Sequence, residues 1–177
     1  MEHTEKRVMK LVKVSMIAAI YVALTLAVAP FAYGPVQFRV SEAMTVLPAF
    51  TTMAIPGLSL GCCLANLIGL FLGNPLGLVD AVFGTLATLL AAVISWKIGR
   101  CKSRTVRYLL VPLPPVVANA VIVGAELTVV LNEGADFGKA YLLNALSVGI
   151  GEAVICYTLG ILLMVVLQKN DFYKKIF

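Results

Sequence analysis

The sequence predicts an all-α, polytopic membrane protein that has six transmembrane helices and both termini in the cytoplasm. Composition is the first observation: 60% of the 177 residues are hydrophobic and only 13% are charged, whereas soluble domains carry about 25% charged residues. The mean hydropathy of +0.97 agrees with this. Such a chain is too apolar to expose an ordinary surface to water, which indicates an integral membrane protein.

The basic residues are the second observation, because twelve of the fourteen lie in three clusters. The clusters precede the first apolar stretch, follow the third and follow the last: Lys6, Arg7, Lys10 and Lys13; Lys97, Arg100, Lys102, Arg104 and Arg107; Lys169, Lys174 and Lys175. The positive-inside rule places all three on the cytoplasmic side. The net charge of +5 therefore reflects membrane topology, and nucleic acid is not an expected partner.

The apolar stretches are the third observation. They cover 14–33, 43–73, 76–96, 108–131 and 140–168. All but the second have the length of one span. Because the first two basic clusters share a side, the second stretch must cross twice or not at all, and Pro56-Gly57 predicts a break into two short helices. We expect a single domain over 1–177 with helices near 10–31, 42–55, 57–73, 78–97, 107–131 and 139–168.

The first apolar stretch also has the features of a signal peptide. Lys13 precedes it, and Ala27-Val28-Ala29 has the pattern of a cleavage site. The apolar run continues past this site, and the even number of crossings requires the segment, so we favour a transmembrane span.

Four acidic residues fall inside or at the edge of the predicted spans, where ionisable side chains are costly and mark functional sites. They are Glu42, Asp80, Glu126 and Glu152, all in the outer half or near mid-depth. Other polar and aromatic side chains accompany them: Asn119, Asn144, Gln37, Arg39, Tyr33 and Phe83. Carboxylates accept paired N–H bonds and attract ammonium groups, and aromatic rings stack on flat molecules. The pattern predicts a pocket for a flat ligand that is rich in donors or positively charged.

Structural roles are the alternative for each acid. Arg39 and Glu42 are three residues apart and also suit an ion pair that fixes the loop. Asp80 suits the first turn of its helix. Glu126 and Glu152 suit protonated, hydrogen-bonded carboxyl groups at helix contacts. We do not expect all four acids to be structural.

No catalytic, metal or cofactor site is expected. The only histidine is His3, in the polar N-terminal segment, which argues against a His-based zinc site and a Ser/His triad. The four cysteines form no C-x-x-C pair and three of them lie inside apolar stretches, which is typical of small buried thiols. No G-x-x-x-x-G-K-[ST] phosphate loop occurs, so the chain is not expected to hydrolyse ATP by itself.

A stripe of small residues recurs every four positions on the first predicted helix. Its members are Ser15, Ala19, Ala23 and Ala27. Small residues let helices approach closely in lipid. The stripe fits either packing within the chain or docking to another membrane subunit.

Several segments resemble one known family. The sequence from Tyr33 to Ala43, YGPVQFRVSEA, followed by Leu47-Pro48, resembles the signature of QueT-type substrate-binding subunits. These are S components of energy-coupling factor (ECF) transporters. The segments Val79–Leu89, Asn119 to Glu126 and Gly149–Glu152 are similar to the same family, so the resemblance covers nearly the whole chain.

The resemblance implies a multi-pass protein in the cell membrane of a prokaryote. S components have six helices and cytoplasmic termini, and they capture a solute at the outer side. They dock through a small-residue stripe, here Ala19, Ala23 and Ala27, onto a transmembrane coupling subunit. Two cytoplasmic ATPase subunits use the ATP, and toppling of the S component delivers the solute.

The implied solutes are 7-deazaguanines: the aminomethyl precursor preQ1, its nitrile analogue preQ0, or queuine. Glu42 and Glu152 are then first candidates for the guanine-like edge or the ammonium group, with Asp80 and Glu126 next. The amides expected to bind the oxo group and the ring nitrogens are those of Asn119, Asn144 and Gln37. The aromatic rings expected to stack on the base are those of Tyr33 and Phe83. A stand-alone solute transporter, or an S component for another cationic vitamin-like solute, is the alternative.

Overall fold

The structure, a computed structural model, describes residues 2–33, 37–74, 76–131, 136–169 and 172–176. In these ranges all regular secondary structure is helical. The α-helices are α1 (Glu2–Ala27), α2 (Ala29–Ala32), α3 (Ala54–Phe71), α4 (Gly77–Ile98), α5 (Arg104–Leu110), α6 (Leu113–Leu131), α7 (Phe137–Ile155), α8 (Ile161–Gln168) and α9 (Phe172–Ile176). A 3₁₀ helix, Val40–Ala49, which we call the 3₁₀ segment, lies between α2 and α3, and a π-helical turn, Cys156–Gly160, joins α7 to α8.

Five helical stretches are long and apolar enough to cross a membrane: Thr4–Ala27, Ala54–Phe71, Gly77–Ile98, Arg104–Leu131 and Phe137–Gln168. Their outward faces carry large exposed apolar side chains, among them Leu78, Leu143 and Leu162. Water-soluble proteins do not expose so much contiguous apolar surface. The described residues therefore have the all-α architecture of a multi-pass membrane protein, as the composition predicts.

The predicted break at Pro56-Gly57 is wrong. α3 begins at Ala54 and continues through both residues, because a proline in the first turn of a helix loses no hydrogen bond. The interruption between the two helices lies earlier in the chain, at residues 50–53, which are not helical. The α-helix predicted at 42–55 is therefore a shorter and narrower 3₁₀ helix.

Prolines also divide two other predicted helices. The helix predicted at 10–31 ends at Ala27, and Pro30 lies at the start of the short α2. The helix predicted at 107–131 is two helices, α5 and α6, with Pro114 and Pro115 in the first turn of α6. In each case proline lies in the first turn of a helix, since its fixed φ angle already suits that turn.

Glycines allow α1 and α3 to pack closely. A Cβ atom on Gly57 would lie 2.9 Å from the Ile17 side chain, and one on Gly61 would lie 2.8 Å from Tyr21 Cβ. The contacts follow the same order on both helices, so α1 and α3 run parallel. Small residues at such contacts are typical of membrane helix pairs.

The 3₁₀ segment occupies the middle of the bundle, with Ser41–Pro48 buried without interruption. At one end, Thr25 Oγ1 donates a 2.7 Å hydrogen bond to Ser41 Oγ, close to the end of α1. At the other end, a Cβ on Gly99, just after α4, would lie 2.5 Å from Ala49 Cα. Its 10 residues span about 20 Å at the 3₁₀ rise. The segment thus carries Glu42 into the interior between the spans.

Candidate binding site

All four acids predicted from the sequence are buried. Glu42 and Asp80 are 0% exposed, Glu152 is 1% exposed and Glu126 is 6% exposed. Burial of a carboxyl group is costly unless the group is paired, hydrogen-bonded or neutral. The surroundings of each acid therefore indicate what it can do.

Asp80 forms a buried ion pair with Arg39, between Asp80 Oδ2 and Arg39 Nη2. The pair joins the segment before the 3₁₀ helix to the first turn of α4. Arg39 Nε also donates a long, 3.5 Å hydrogen bond to the Ala32 carbonyl. The ion pair between Arg39 and Glu42 that the sequence also allowed is therefore not the one that forms.

Asp80 fits against α4 because residue 84 is glycine. A Cβ on Gly84 would lie only 2.2 Å from Asp80 Oδ1. Asn66 of α3 stands on the other side and donates a 2.9 Å hydrogen bond to the Asp80 backbone carbonyl. The first turn of α4 is thus fixed by both neighbouring segments, and Asp80 Oδ1 itself has no hydrogen-bond partner among the described residues.

Glu42 is held by the phenol of Tyr21, whose Oη donates to Glu42 Oε1. Thr45 Oγ1 donates a 2.6 Å hydrogen bond to the Glu42 backbone carbonyl, which supports the tight 3₁₀ turn. The second carboxyl oxygen, Oε2, has no partner in the described part of the chain. Glu42 therefore keeps one acceptor available in the interior.

Glu152 of α7 lies close to the 3₁₀ segment through Cys156, the first residue of the π-helical turn that follows α7. The Cys156 thiol lies 3.7 Å from Glu152 Oε2 and 3.7 Å from the Glu42 backbone carbonyl. Asn119 of α6 stands near the Glu152 carboxyl group. Glu42, Glu152 and Asn119 therefore lie in one buried region, and their role in binding a ligand stays a prediction.

Glu126 lies in a different environment. It lines a groove between α4 and α6, of about 450 Å³, together with Phe83. Phe83 is 49% exposed, so its ring lies on the outer surface of the bundle and not in the enclosed interior. Both carboxyl oxygens of Glu126 are buried and have no hydrogen-bond partner among the described residues.

The remaining predicted residues have mixed positions. Tyr33 Oη donates a 2.7 Å hydrogen bond to the Ala65 carbonyl, its ring lies 5.8 Å from Arg39 Cζ, and burial raises its pKa to about 12, so it is a neutral donor. Gln37 is buried. Asn144 Nδ2 donates a 3.0 Å hydrogen bond to Thr128 Oγ1, which joins α7 to α6. Gly34-Pro35-Val36 of the signature lies outside the described residues.

Two residues of the buried region were not among the predicted site residues, Tyr21 and Asn66. Tyr21 and Thr25 are polar residues four positions apart in an otherwise apolar helix, and both face the interior. This spacing of two polar residues on one helix face is the feature of the sequence from which their inward position could have been predicted. Asn66 showed only as an isolated amide in α3, and its contact with Asp80 depends on the packing of two helices.

The unpartnered polar atoms of this region include both acceptors and donors: the donors are Asn119 Nδ2 and the Thr88 hydroxyl, which can also accept. Four buried acceptor atoms of this region have no hydrogen-bond partner in the described structure, Glu42 Oε2, Asn66 Oδ1, Asp80 Oδ1 and Asn119 Oδ1, and the two carboxyl oxygens of Glu126 lack one in the groove between α4 and α6. Each buried polar atom without a partner costs about 1–3 kcal/mol. A ligand that brings N–H donors or a positive charge would satisfy the unpartnered oxygens, and an acceptor on the same ligand would satisfy the Asn119 amide.

The described residues contain no group of three His, Cys, Asp or Glu side chains that could hold a metal ion. The small-residue stripe of α1 is exposed along its whole length, at Ser15, Ala19, Ala23 and Ala27. The opposite face of α1 packs inward through Ile17 and other buried residues. The stripe is thus not used for packing between the described helices.

Five membrane-length helical stretches around a buried, acid-rich region define a membrane protein of the solute-binding or solute-transporting class. The chain matches the QueT transporter family over residues 11–169 and belongs to that family. The resemblance seen in the sequence is confirmed, and the family indicates a transport component and not an enzyme.

A curated relative supports the same family. Over 81 residues the chain is 33% identical to the queuosine precursor transporter QueT of Lactococcus lactis subsp. cremoris (strain MG1363). The match covers 45% of this chain and 44% of that protein, which is less than half of the relative's length. No solved structure matches the chain significantly.

Proposed function

We propose that the chain is the substrate-binding S component of an ECF-type importer and that it captures a 7-deazaguanine precursor of queuosine. The observation that carries this proposal is the group of buried acceptor atoms at Glu42, Asp80 and Asn119, close to Glu152, which a donor-rich or cationic ligand would satisfy. Membership of the QueT transporter family supports the solute class.

The chemistry of the ligand complements the region. A 7-deazaguanine presents a ring N–H and a 2-amino group side by side, which one carboxylate can accept as a pair. The aminomethyl arm of preQ1 and the secondary amine of queuine are cationic at neutral pH. We assign Glu152 and Glu42 to these two groups, with Asn119 at the oxo group. The nitrile of preQ0 is neutral and gains less from a second acid.

The topology that goes with this function has six crossings and cytoplasmic termini. The 3₁₀ segment is the second crossing, since it extends from the end of α1 to the end of α4. It is about 20 Å long, short for a hydrocarbon core of about 30 Å, and neighbouring helices shield its backbone from lipid. The three basic clusters then share the cytoplasmic side, as the positive-inside rule requires.

Docking to a coupling subunit is assigned to the exposed stripe of α1. Small side chains on an exposed membrane face let a partner helix approach closely. ATP hydrolysis belongs to two separate ATPase subunits, and toppling of the docked S component releases the solute inward. Ala23→Trp should prevent co-purification with the coupling subunit, while Leu143→Trp, on the exposed face of α7, should not. Equal co-purification of both variants would contradict the docking assignment.

The solute assignment is tested by calorimetric titration of the purified chain with queuine, preQ1, preQ0 and guanine. We expect one-to-one binding, with the cationic compounds tighter than preQ0 and guanine weakest. Absence of binding to every deazaguanine would refute the solute class and leave the helical architecture unaffected.

Uptake into vesicles distinguishes the proposed S component from a stand-alone transporter. The chain alone in vesicles should bind a radiolabelled deazaguanine without accumulating it inside. Accumulation without a coupling subunit or ATPases would favour the stand-alone function. Tight binding of an unrelated cationic vitamin in the calorimeter would instead favour an S component for another solute.

A further inference from the structure

A polar cleft, of about 280 Å³, lies at the end of the bundle where α4 ends and α5 begins. It is enclosed by the end of the 3₁₀ segment, α5, the end of α8 and α9. Its described lining residues are Ala49, Phe50, Arg104, Arg107, Gln168 and Tyr173. Two of these described residues are cationic and none is acidic, so the described part of the lining offers hydrogen-bond donors without a carboxylate beside them.

A hydrogen-bond network fixes the Gln168 amide at this cleft. Tyr108 Oη donates a 2.7 Å hydrogen bond to Gln168 Oε1, and Arg104 Nη2 donates a 3.2 Å hydrogen bond to Tyr108 Oη. The acceptor end of the amide is thus occupied. The donor end, Gln168 Nε2, is buried without a partner among the described residues, as is Arg107 Nε.

Two buried N–H donors beside an exposed guanidinium form a site for an oxyanion. Phosphate oxygens accept such donors, and charge-assisted bonds to guanidinium are the stronger kind. The neutral amide donates its N–H in a fixed direction, which a diffuse positive surface does not do. This distinguishes the cleft from the rest of the basic cluster, whose charges the positive-inside rule alone explains.

The position of the cleft identifies the source of the oxyanion. The positive-inside rule assigns this end to the cytoplasmic leaflet, where basic pockets between helices bind anionic headgroups. Leu109 and Leu110 are exposed next to Arg107 on α5, so apolar surface for acyl chains adjoins the polar cleft. A phosphate attached to acyl chains satisfies both surfaces.

We propose that this cleft binds the phosphate headgroup of an anionic phospholipid of the cytoplasmic leaflet, with Arg104 and Arg107 as cationic contacts and the Gln168 amide as a neutral donor. The proposal does not depend on the solute or on the coupling subunit.

The test uses the full chain in detergent and two variants that each lower the net charge by one. Gln168→Glu keeps an acceptor for Tyr108 and replaces the unpartnered donor by a carboxylate oxygen. Arg7→Gln removes an exposed charge of α1 at the same end of the bundle. Native mass spectrometry measures retained phosphatidylglycerol and phosphatidylcholine, and thermal unfolding measures stabilisation by these lipids and by inorganic phosphate.

The wild type should retain phosphatidylglycerol over phosphatidylcholine. Gln168→Glu should lower this retention about fivefold or more, as expected for the loss of one favourable headgroup contact, and Arg7→Gln should leave it nearly unchanged. Equal losses in both variants, or no preference between the lipids, would overturn the proposal. Stabilisation by inorganic phosphate without a lipid preference would assign the cleft to a free oxyanion and also overturn it. If Gln168→Glu does not fold, Arg107→Gln against Arg7→Gln makes the same comparison.

Discussion

The buried ion pair between Arg39 and Asp80 makes a quantitative prediction about stability. Both side chains are at most 2% exposed, so solvent does not screen the charges. Asp80→Asn would remove the countercharge and leave the buried guanidinium with neutral acceptors alone, such as the Ala32 carbonyl. Removal of one partner from such a pair costs about 3–5 kcal/mol. For a chain of this size, we expect the Tm to fall on the order of 10 °C.

An exposed ion pair in the same chain provides the control. Lys139 Nζ lies 3.9 Å from Asp136 Oδ2, and the two side chains are 86% and 63% exposed. Pairs of this kind contribute less than about 1 kcal/mol, so Lys139→Gln should change the Tm very little. Circular dichroism at 222 nm, in one detergent and at one protein concentration, measures both variants.

Two results would refute the reasoning. Equal Tm changes for Asp80→Asn and Lys139→Gln would mean that the Arg39 charge is not buried with Asp80 as its partner. A larger loss for Glu42→Gln than for Asp80→Asn would mean that Glu42 is the partner, as the sequence alone also allowed.

Two further predictions concern packing and accessibility. Gly84→Ala should lower the free energy of unfolding by about 1–3 kcal/mol, because the new Cβ would lie 2.2 Å from a carboxyl oxygen of Asp80. Gly149→Ala should lower it less, since the nearest neighbour of its Cβ would be 3.4 Å away. Equal thermal stabilities of the two variants would contradict the close contact at Gly84. The exposed Cys101 should react quickly with a water-soluble maleimide in the native protein, and the buried Cys156 should react only after unfolding. Mass spectrometry of labelled peptides measures both rates, and rapid labelling of Cys156 would contradict its burial.

The helical stretches could be predicted from the sequence because apolar length is a property of one segment at a time. The positions of their ends were less accessible. Pro56 and Pro114 both occupy the first turn of a helix, and a proline alone does not tell whether it begins a helix or ends one. The 3₁₀ geometry of 40–49 was missed because it depends on crowding from neighbouring helices along its whole length.

The four buried acids could be identified as candidates because ionisable side chains are rare in apolar spans. The hydrogen-bond and ion-pair partners of these acids could not be identified from the sequence. Arg39 pairs with a residue 41 positions away, while the sequence offered Glu42 only three positions away. Phe83 was predicted to stack on the ligand, but its ring is half exposed, because the rotation of α4 that sets its direction is decided by packing against α3 and α6.

Whether a buried carboxyl group of this chain contacts a cationic deazaguanine is tested most directly by a titration of Glu152→Gln with preQ1. Glu5→Gln, which changes an exposed acid of α1, is the matched control. Loss of one charged hydrogen bond corresponds to a roughly tenfold or greater increase in Kd. We predict this increase for Glu152→Gln, with folding unchanged, and none for Glu5→Gln. Equal Kd values for the wild type and Glu152→Gln would remove Glu152 from the site and contradict the account.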